Sequence, residues 1–113
     1  LKSEQEQIPH GYGIHVAANG DTHGGQWKNG KLDGEGTFST LADTNNEIHN
    51  YKGEWKDNLR HGKGIYTIMN TKTMKIQTYD GQWAFDKYHG EGTLTEFDGE
   101  VKKGIWENGG LKN

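Results

Sequence analysis

Tyr51-Lys52-Gly53-Glu54-Trp55, followed by His61-Gly62-Lys63-Gly64, is a two-part phrase that recurs along the chain. Tyr79-Asp80-Gly81-Gln82-Trp83 with His89-Gly90-Glu91-Gly92 repeats it, and His23-Gly24-Gly25-Gln26-Trp27 with Asp33-Gly34-Glu35-Gly36 precedes it at the same internal spacing. His10-Gly11-Tyr12-Gly13 supplies the second part alone, and Lys102-Lys103-Gly104-Ile105-Trp106 the first part alone. Successive tryptophans lie 28, 28 and 23 residues apart, so the smallest unit is 23 residues. The two longer units carry their extra residues at 41–49 and 70–77, between the second phrase of one copy and the first of the next. A fixed period of this size marks a repeat architecture, with insertions at loop tips.

Within a phrase, residues alternate between two chemistries, which is the signature of strands. Tyr51, Gly53 and Trp55 point one way, together with Gly62, Gly64 and Tyr66; Lys52, Glu54, Lys56 and Lys63 point the other. A glycine beside a tryptophan removes the Cβ and lets the ring lie on neighbouring backbone. This pattern predicts eight short strands in meander order: 10–17, 23–28, 33–40, 50–56, 61–69, 75–85, 89–96 and 100–107. Asn19-Gly20, Asn29-Gly30 and Asp98-Gly99 supply turn residues that tolerate positive φ. Ile68, Met69, Met74 and Ile76 flank the second insertion and predict a lengthened hairpin there rather than a loose loop.

Composition agrees with a thin, ordered β structure. Leu, Ile, Val and Phe number only 18 of 113 residues, whereas 12 aromatics and 18 glycines sit at repeat positions. Residues 1–8 are polar and read as a tail or linker; 9–113 read as the repeat array. The chain opens at Leu1 instead of methionine, which suggests a segment of a longer protein. No stretch approaches the roughly 20 apolar residues of a membrane helix, and no signal-peptide pattern is present. The absence of cysteine excludes disulfides and thiolate metal sites and fits an intracellular setting. A net charge of −3 gives no bulk attraction to nucleic acid.

The phrases resemble the MORN repeat family, whose unit of about 23 residues runs Tyr-x-Gly-x-Trp, a turn, His-Gly-x-Gly and an Asp-Gly or Asn-Gly turn. The likeness covers about residues 9–112, with three full repeats cored on Thr22–Phe38, Asn50–Tyr66 and Thr78–Leu94 and half-repeats at both ends. It implies an all-β fold: an elongated, single-layer antiparallel meander of tandem β-hairpins. His23 and Lys102 depart from the usual Tyr, and Asp33 from the usual His. The resemblance also implies a non-catalytic scaffold, cytoplasmic and associated with cytoskeletal or membrane assemblies. Its alternative is a regulatory segment of a larger enzyme such as a lipid kinase or protein methyltransferase.

Other chemistry is weakly signalled. His10, His61 and His89 share one repeat position, so one hairpin separates each from the next, about 10 Å; that is too far for a shared metal, and a role in capping the turns is expected. His15, His23 and His49 follow no common position. Acid pairs such as Asp33/Glu35 and Asp98/Glu100 lack a nucleophile motif nearby, and the Gly-x-Gly pairs lack the strand-to-helix setting of a dinucleotide site. No enzyme, metal or cofactor is expected.

The aromatic face carries the functional expectation. A single layer leaves Trp27, Phe38, Tyr51, Trp55, Tyr66, Tyr79, Trp83 and Trp106 partly exposed, either stacked on one another and on glycine or forming a groove for a partner peptide or helix. Phospholipid binding is the weaker alternative, through Lys28, Lys31, Lys52, Lys56, Arg60 and Lys63. The final strand, 100–107, is expected to present an open edge to a further hairpin or a second copy.

Overall fold

A computed structural model describes residues 10–112, and the expected tail at 1–8 lies outside them. Among the described residues, nine strands form one antiparallel sheet whose spatial order is the chain order: β1 (Gly11–Val16), β2 (Thr22–Lys28), β3 (Lys31–Ser39), β4 (Glu47–Lys56), β5 (Leu59–Asn70), β6 (Ile76–Ala84), β7 (Lys87–Thr95), β8 (Val101–Glu107) and β9 (Gly110–Leu111). The molecule measures 53 × 32 × 17 Å, as a single elongated layer requires. Among the described residues, no helix is long and apolar enough to cross a membrane.

The strands after each tryptophan begin earlier than the sequence suggests, at Lys31, Leu59 and Lys87, because the hairpin loops are only two residues long. Asn29-Gly30 (φ 53° and 83°), Asp57-Asn58 (50° and 70°), Phe85-Asp86 (50° and 70°) and Asn108-Gly109 (51° and 89°) all place two consecutive residues at positive φ. That is the backbone of the type I′ turn, whose twist matches the flanking strands. The last of these turns creates β9, which sequence reading omitted. β9 covers β8 at Trp106 and Glu107, and Lys112 N donates to Ile105 O at 2.7 Å, so the expected open edge is partly closed.

Register aligns like residues into rows that cross every hairpin. Gly13, Gly25, Gly36, Gly53, Gly64, Gly81, Gly92 and Gly104 stand directly opposite one another from β1 to β8. A second row runs His15, His23, Phe38, Tyr51, Tyr66, Tyr79, Leu94 and Lys102. A third pairs Trp27, Trp55, Trp83 and Trp106 with Leu32, Arg60, Tyr88 and Leu111 within each hairpin. Rings from the two outer rows fold inward over the bare glycine row.

Each full hairpin contains a bulge between its glycine and tryptophan pairs. Gly53 pairs with Gly64 and Trp55 with Arg60, so Glu54 alone faces the three residues 61–63. The same shift occurs around Gln26 and Gln82. The lone residue supplies an acceptor for a backbone amide: Glu35 N donates to Gln26 Oε1 at 2.8 Å and Glu91 N to Gln82 Oε1 at 3.0 Å. Gly34, Gly62 and Gly90 sit in these bulges at φ 109°, 81° and 90°. A Cβ on Gly62 would meet Glu54 Oε1 at 2.5 Å, not a ring, which corrects the simple face assignment. The bulge, by re-aiming the strand, breaks the period of two.

The inserted segments lengthen strands as expected at 70–77 and also at 41–49. Glu47 pairs with Asn70 and Ile48 with Met69, while Ile68 pairs with Gln77 and Met69 with Ile76.

Candidate functional site

The aromatic face is a self-packed core more than an open surface. Tyr51 and Tyr79 are 1% exposed, Trp83 and Trp106 4%, and Trp55 8%; Leu32 and Leu94 complete the buried set. Trp27, Phe38, Tyr66 and Tyr88 are partly buried against it. Of the eight residues expected from sequence to be partly exposed, Trp27, Phe38 and Tyr66 are so, and the other five are buried.

The glycines explain this burial. Tyr51 reaches across Gly64, where an added Cβ would come within 2.5 Å of its Cε1, and its hydroxyl donates to Glu54 O at 2.9 Å. Tyr79 repeats the arrangement over Gly92, donating to Gln82 O at 2.8 Å. The phenol thus satisfies a carbonyl inside the bulge while its ring fills the missing side chain's place. Burial holds Tyr51 protonated well above the ordinary phenol range and pushes Tyr79 up to about 12. Burial also raises Tyr66 and Tyr88.

The tryptophans tie neighbouring hairpins together. Trp27, Trp83 and Trp106 donate their indole N–H to the carbonyls of Gly13, Gly64 and Gly92 at 2.9, 3.1 and 3.0 Å. Trp55 departs from this pattern: its buried Nε1 finds no acceptor among the described residues. Its hairpin neighbour is the unit in which His23 replaces Tyr, and Trp55 Nε1 instead lies 3.0 Å from where a Gly36 Cβ would stand. His23 packs on Phe38 (4.7 Å) and edge-on to Trp55 (6.3 Å).

Sequence reading gave Leu32, Asp86 and Tyr88 no role and placed Arg60 only in a basic patch, but the four complete the face. The Arg60 guanidinium lies 4.7 Å from the Trp83 ring centre and 4.9 Å from that of Tyr66. Asp86 Oδ1 accepts from Arg60 N at 2.7 Å and Nε at 3.0 Å, which fixes the cation over the rings. Leu32 N donates to Asn58 Oδ1 at 2.8 Å in the same manner, so Asn58 and Asp86 each stitch one hairpin to the preceding one. The signal for this was Asn or Asp at the second turn position. Tyr88 stacks face to face on Tyr79, with centres 3.8 Å apart.

Arg60, Tyr66, Trp83, Asp86, Lys87, Tyr88 and Gly109 line a shallow cavity of about 270 Å³ on this face. Its walls offer aromatic surface, the Arg60 guanidinium already paired with Asp86, and the exposed Lys87. Of the six basic residues named from sequence, Arg60 lines this cavity, whereas Lys52 alternates with Tyr51 onto the opposite face.

The histidines of the second phrase do not cap turns. His61 and His89 lie within β5 and β7, in the bulges, and His61 packs edge-on to Phe85 at 5.4 Å; the turn residues Asn58 and Asp86 instead accept amides of the preceding hairpin. His15 and His23 pair across β1 and β2, and burial, then the neighbouring His15, holds His23 below its ordinary value. His49 lies beside Asp43, Glu47 and Tyr66, a grouping with no periodic signal.

No curated protein matches the chain. The family model for the MORN repeat matches residues 8–22, 25–40, 51–70 and 79–101, four copies that follow the hairpins described above. With most of its length covered by these matches, the chain belongs to the MORN repeat family.

Proposed function

We propose that the chain is a non-catalytic protein-interaction scaffold whose aromatic face receives a peptide or helix of a partner protein, within a cytoskeletal or membrane-associated assembly. The observation supporting this reading is the cavity of about 270 Å³ beneath Arg60, walled by Tyr66, Trp83 and Tyr88. A pre-packed aromatic wall offers contact area at little entropic cost, and Tyr, Trp and Arg are the residues enriched in binding hot spots. The partner's anchor is an apolar or aromatic side chain seated on Tyr66, Trp83 and Tyr88, since Asp86 already neutralises Arg60, with Lys87 beside it to receive an acidic neighbour of that anchor. Trp27, Phe38 and Tyr66 extend the contact along the sheet. Tyr51, Trp55, Tyr79, Trp83 and Trp106 support the groove from beneath.

A display library of peptides selected on the protein tests this. Selected peptides are expected to share an apolar or aromatic anchor, to shift the Trp83 indole resonance, and to bind Tyr88→Ser about tenfold more weakly, a loss of roughly 1.4 kcal/mol. Equal binding to the wild type and Tyr88→Ser, or loss only with Lys103→Glu on the opposite face, refutes the proposal. Circular dichroism of Tyr88→Ser separates lost contact from lost fold.

A further inference from the structure

At the insertion end of the aromatic face, beside Tyr66, three ligand-type side chains from a non-repeat segment come to one point. His49 Nε2 lies 3.5 Å from Glu47 Oε1 and 3.7 Å from Asp43 Oδ2, and the three ligand atoms all fall within 4.8 Å of one another. Both distances exceed the usual range for an N–H···O hydrogen bond. They are close to the separation of about 3.3 Å between neighbouring ligands around a tetrahedral zinc ion with bonds of about 2.0 Å. The carboxylates converge on the imidazole without hydrogen-bonding to it. We propose that Asp43, Glu47 and His49 form a site for a borderline divalent cation of the Zn²⁺ type.

The surroundings hold each ligand in place. His49 Nδ1 lies 2.7 Å from the Tyr66 hydroxyl. With Nε2 given to a metal, Nδ1 carries the proton and donates to that oxygen, the outer-shell bond that fixes a ligating imidazole. Asp43 Oδ1 accepts the amides of Asn45 at 2.8 Å and Glu47 at 3.0 Å, leaving Oδ2 toward His49. The segment itself is anchored: Thr71 N donates to Asn46 O at 2.7 Å across the neighbouring connection. Asp43 and His49 also line a cavity of about 480 Å³ that includes Asn19 and Asp21, with room for water in a fourth position. One nitrogen and two oxygens suit Zn²⁺ over Ca²⁺ and Mg²⁺, which prefer all-oxygen sets of six or more.

Calorimetric titration of the whole chain with ZnCl₂ tests the site, alongside CaCl₂ and MgCl₂. One Zn²⁺ per chain is expected, with no comparable binding of the other two ions. Asp43→Asn keeps the acceptor for the loop amides but removes the charge, and His49→Gln removes the nitrogen; each is expected to abolish the binding. Tyr66→Phe should weaken it about tenfold through loss of orientation. His15→Ala, in the cross-strand His15–His23 pair, should leave it unchanged. Ring-nitrogen NMR of the wild type provides a readout free of folding effects: Zn²⁺ should move the His49 Nε2 resonance by far the most. Absence of binding to the wild type, binding by Asp43→Asn or His49→Gln equal to the wild type, or loss only in His15→Ala overturns the proposal.

Discussion

Gly64→Ala is a change of one methyl group with a disproportionate expected effect. The added Cβ would overlap the Tyr51 hydroxyl and ring, with Cε1 at 2.5 Å, and Tyr51 is 1% exposed. The phenol must leave its seat. That forfeits its bond to Glu54 O, worth about 1 kcal/mol, and forces an overpacked or partly exposed ring at roughly 1–3 kcal/mol more. Against this stands a gain of about 0.4–1 kcal/mol from restricting the unfolded chain. The net expectation is a loss of about 2–3 kcal/mol, a fall in melting temperature on the order of 10 °C. Gly13 provides the control, since it occupies the same repeat position but its Cβ would meet only Trp27 Cδ1 at 3.9 Å. Gly13→Ala should stay within about 0.5 kcal/mol of the wild type. Tryptophan-fluorescence melts of Gly13→Ala, Gly64→Ala, Tyr51→Ala and the Gly64→Ala/Tyr51→Ala double variant complete the set. The double variant should be no less stable than Tyr51→Ala alone. Additive losses, or equal losses at Gly13 and Gly64, would show that the glycine is not there to seat the tyrosine.

Gly109→Asn should stabilise the protein by about 0.5–1 kcal/mol in thermal melts, because Asn58 and Asp86 at the equivalent turn position each cap a backbone amide and Gly109 has no side chain to offer Tyr88. No atom lies within 4 Å of the position its Cβ would take. Gln82→Leu should cost about 1 kcal/mol in urea denaturation by leaving the Glu91 amide without its acceptor, whereas Gln82→Glu should be tolerated, as Glu54 shows. Burial lowers His23 below its ordinary 6.5, so the unfolded chain takes up that proton first; stability should be fully present above about pH 6.5 and fall as the pH drops below it. A His23→Phe variant should flatten that slope in melts recorded across the window.

The recurrence of Gly-x-Trp and His-Gly-x-Gly was enough to read a meander of hairpins, since the spacing of Trp27, Trp55 and Trp83 admits few other arrangements. Strict alternation then misled at Gly34, Gly62 and Gly90, because a bulge that sets one residue against three is invisible to a period of two. Tyr88 escaped notice, and Arg60 was read only as one charge of a basic patch, for a related reason: two-residue turns put them inside strands, opposite tryptophans, where the sequence suggests connecting loop. The depth of ring burial was also underestimated. Exposure was inferred from the lack of a second layer, but the glycine row lets Tyr51 and Tyr79 lie across their own sheet. The grouping of Asp43, Glu47 and His49 depends on a single irregular connection, and Tyr66 joins it only through strand register.

The four two-residue turns all lie along one rim of the sheet, and the connections at 17–21, 40–46, 71–75 and 96–100 along the other. The first rim is stitched hairpin to hairpin by Asn58 and Asp86, so a length change there would sever a tie to the preceding unit. The second rim absorbed both insertions while the glycine row continued unbroken. Tandem duplication can therefore lengthen such a chain, and later mutation can rewrite one margin, without reopening the packing problem each new copy inherits already solved. For an engineer, the same division makes 40–46 and 71–75 neighbouring grafting points on a frame whose opposite margin should be left alone.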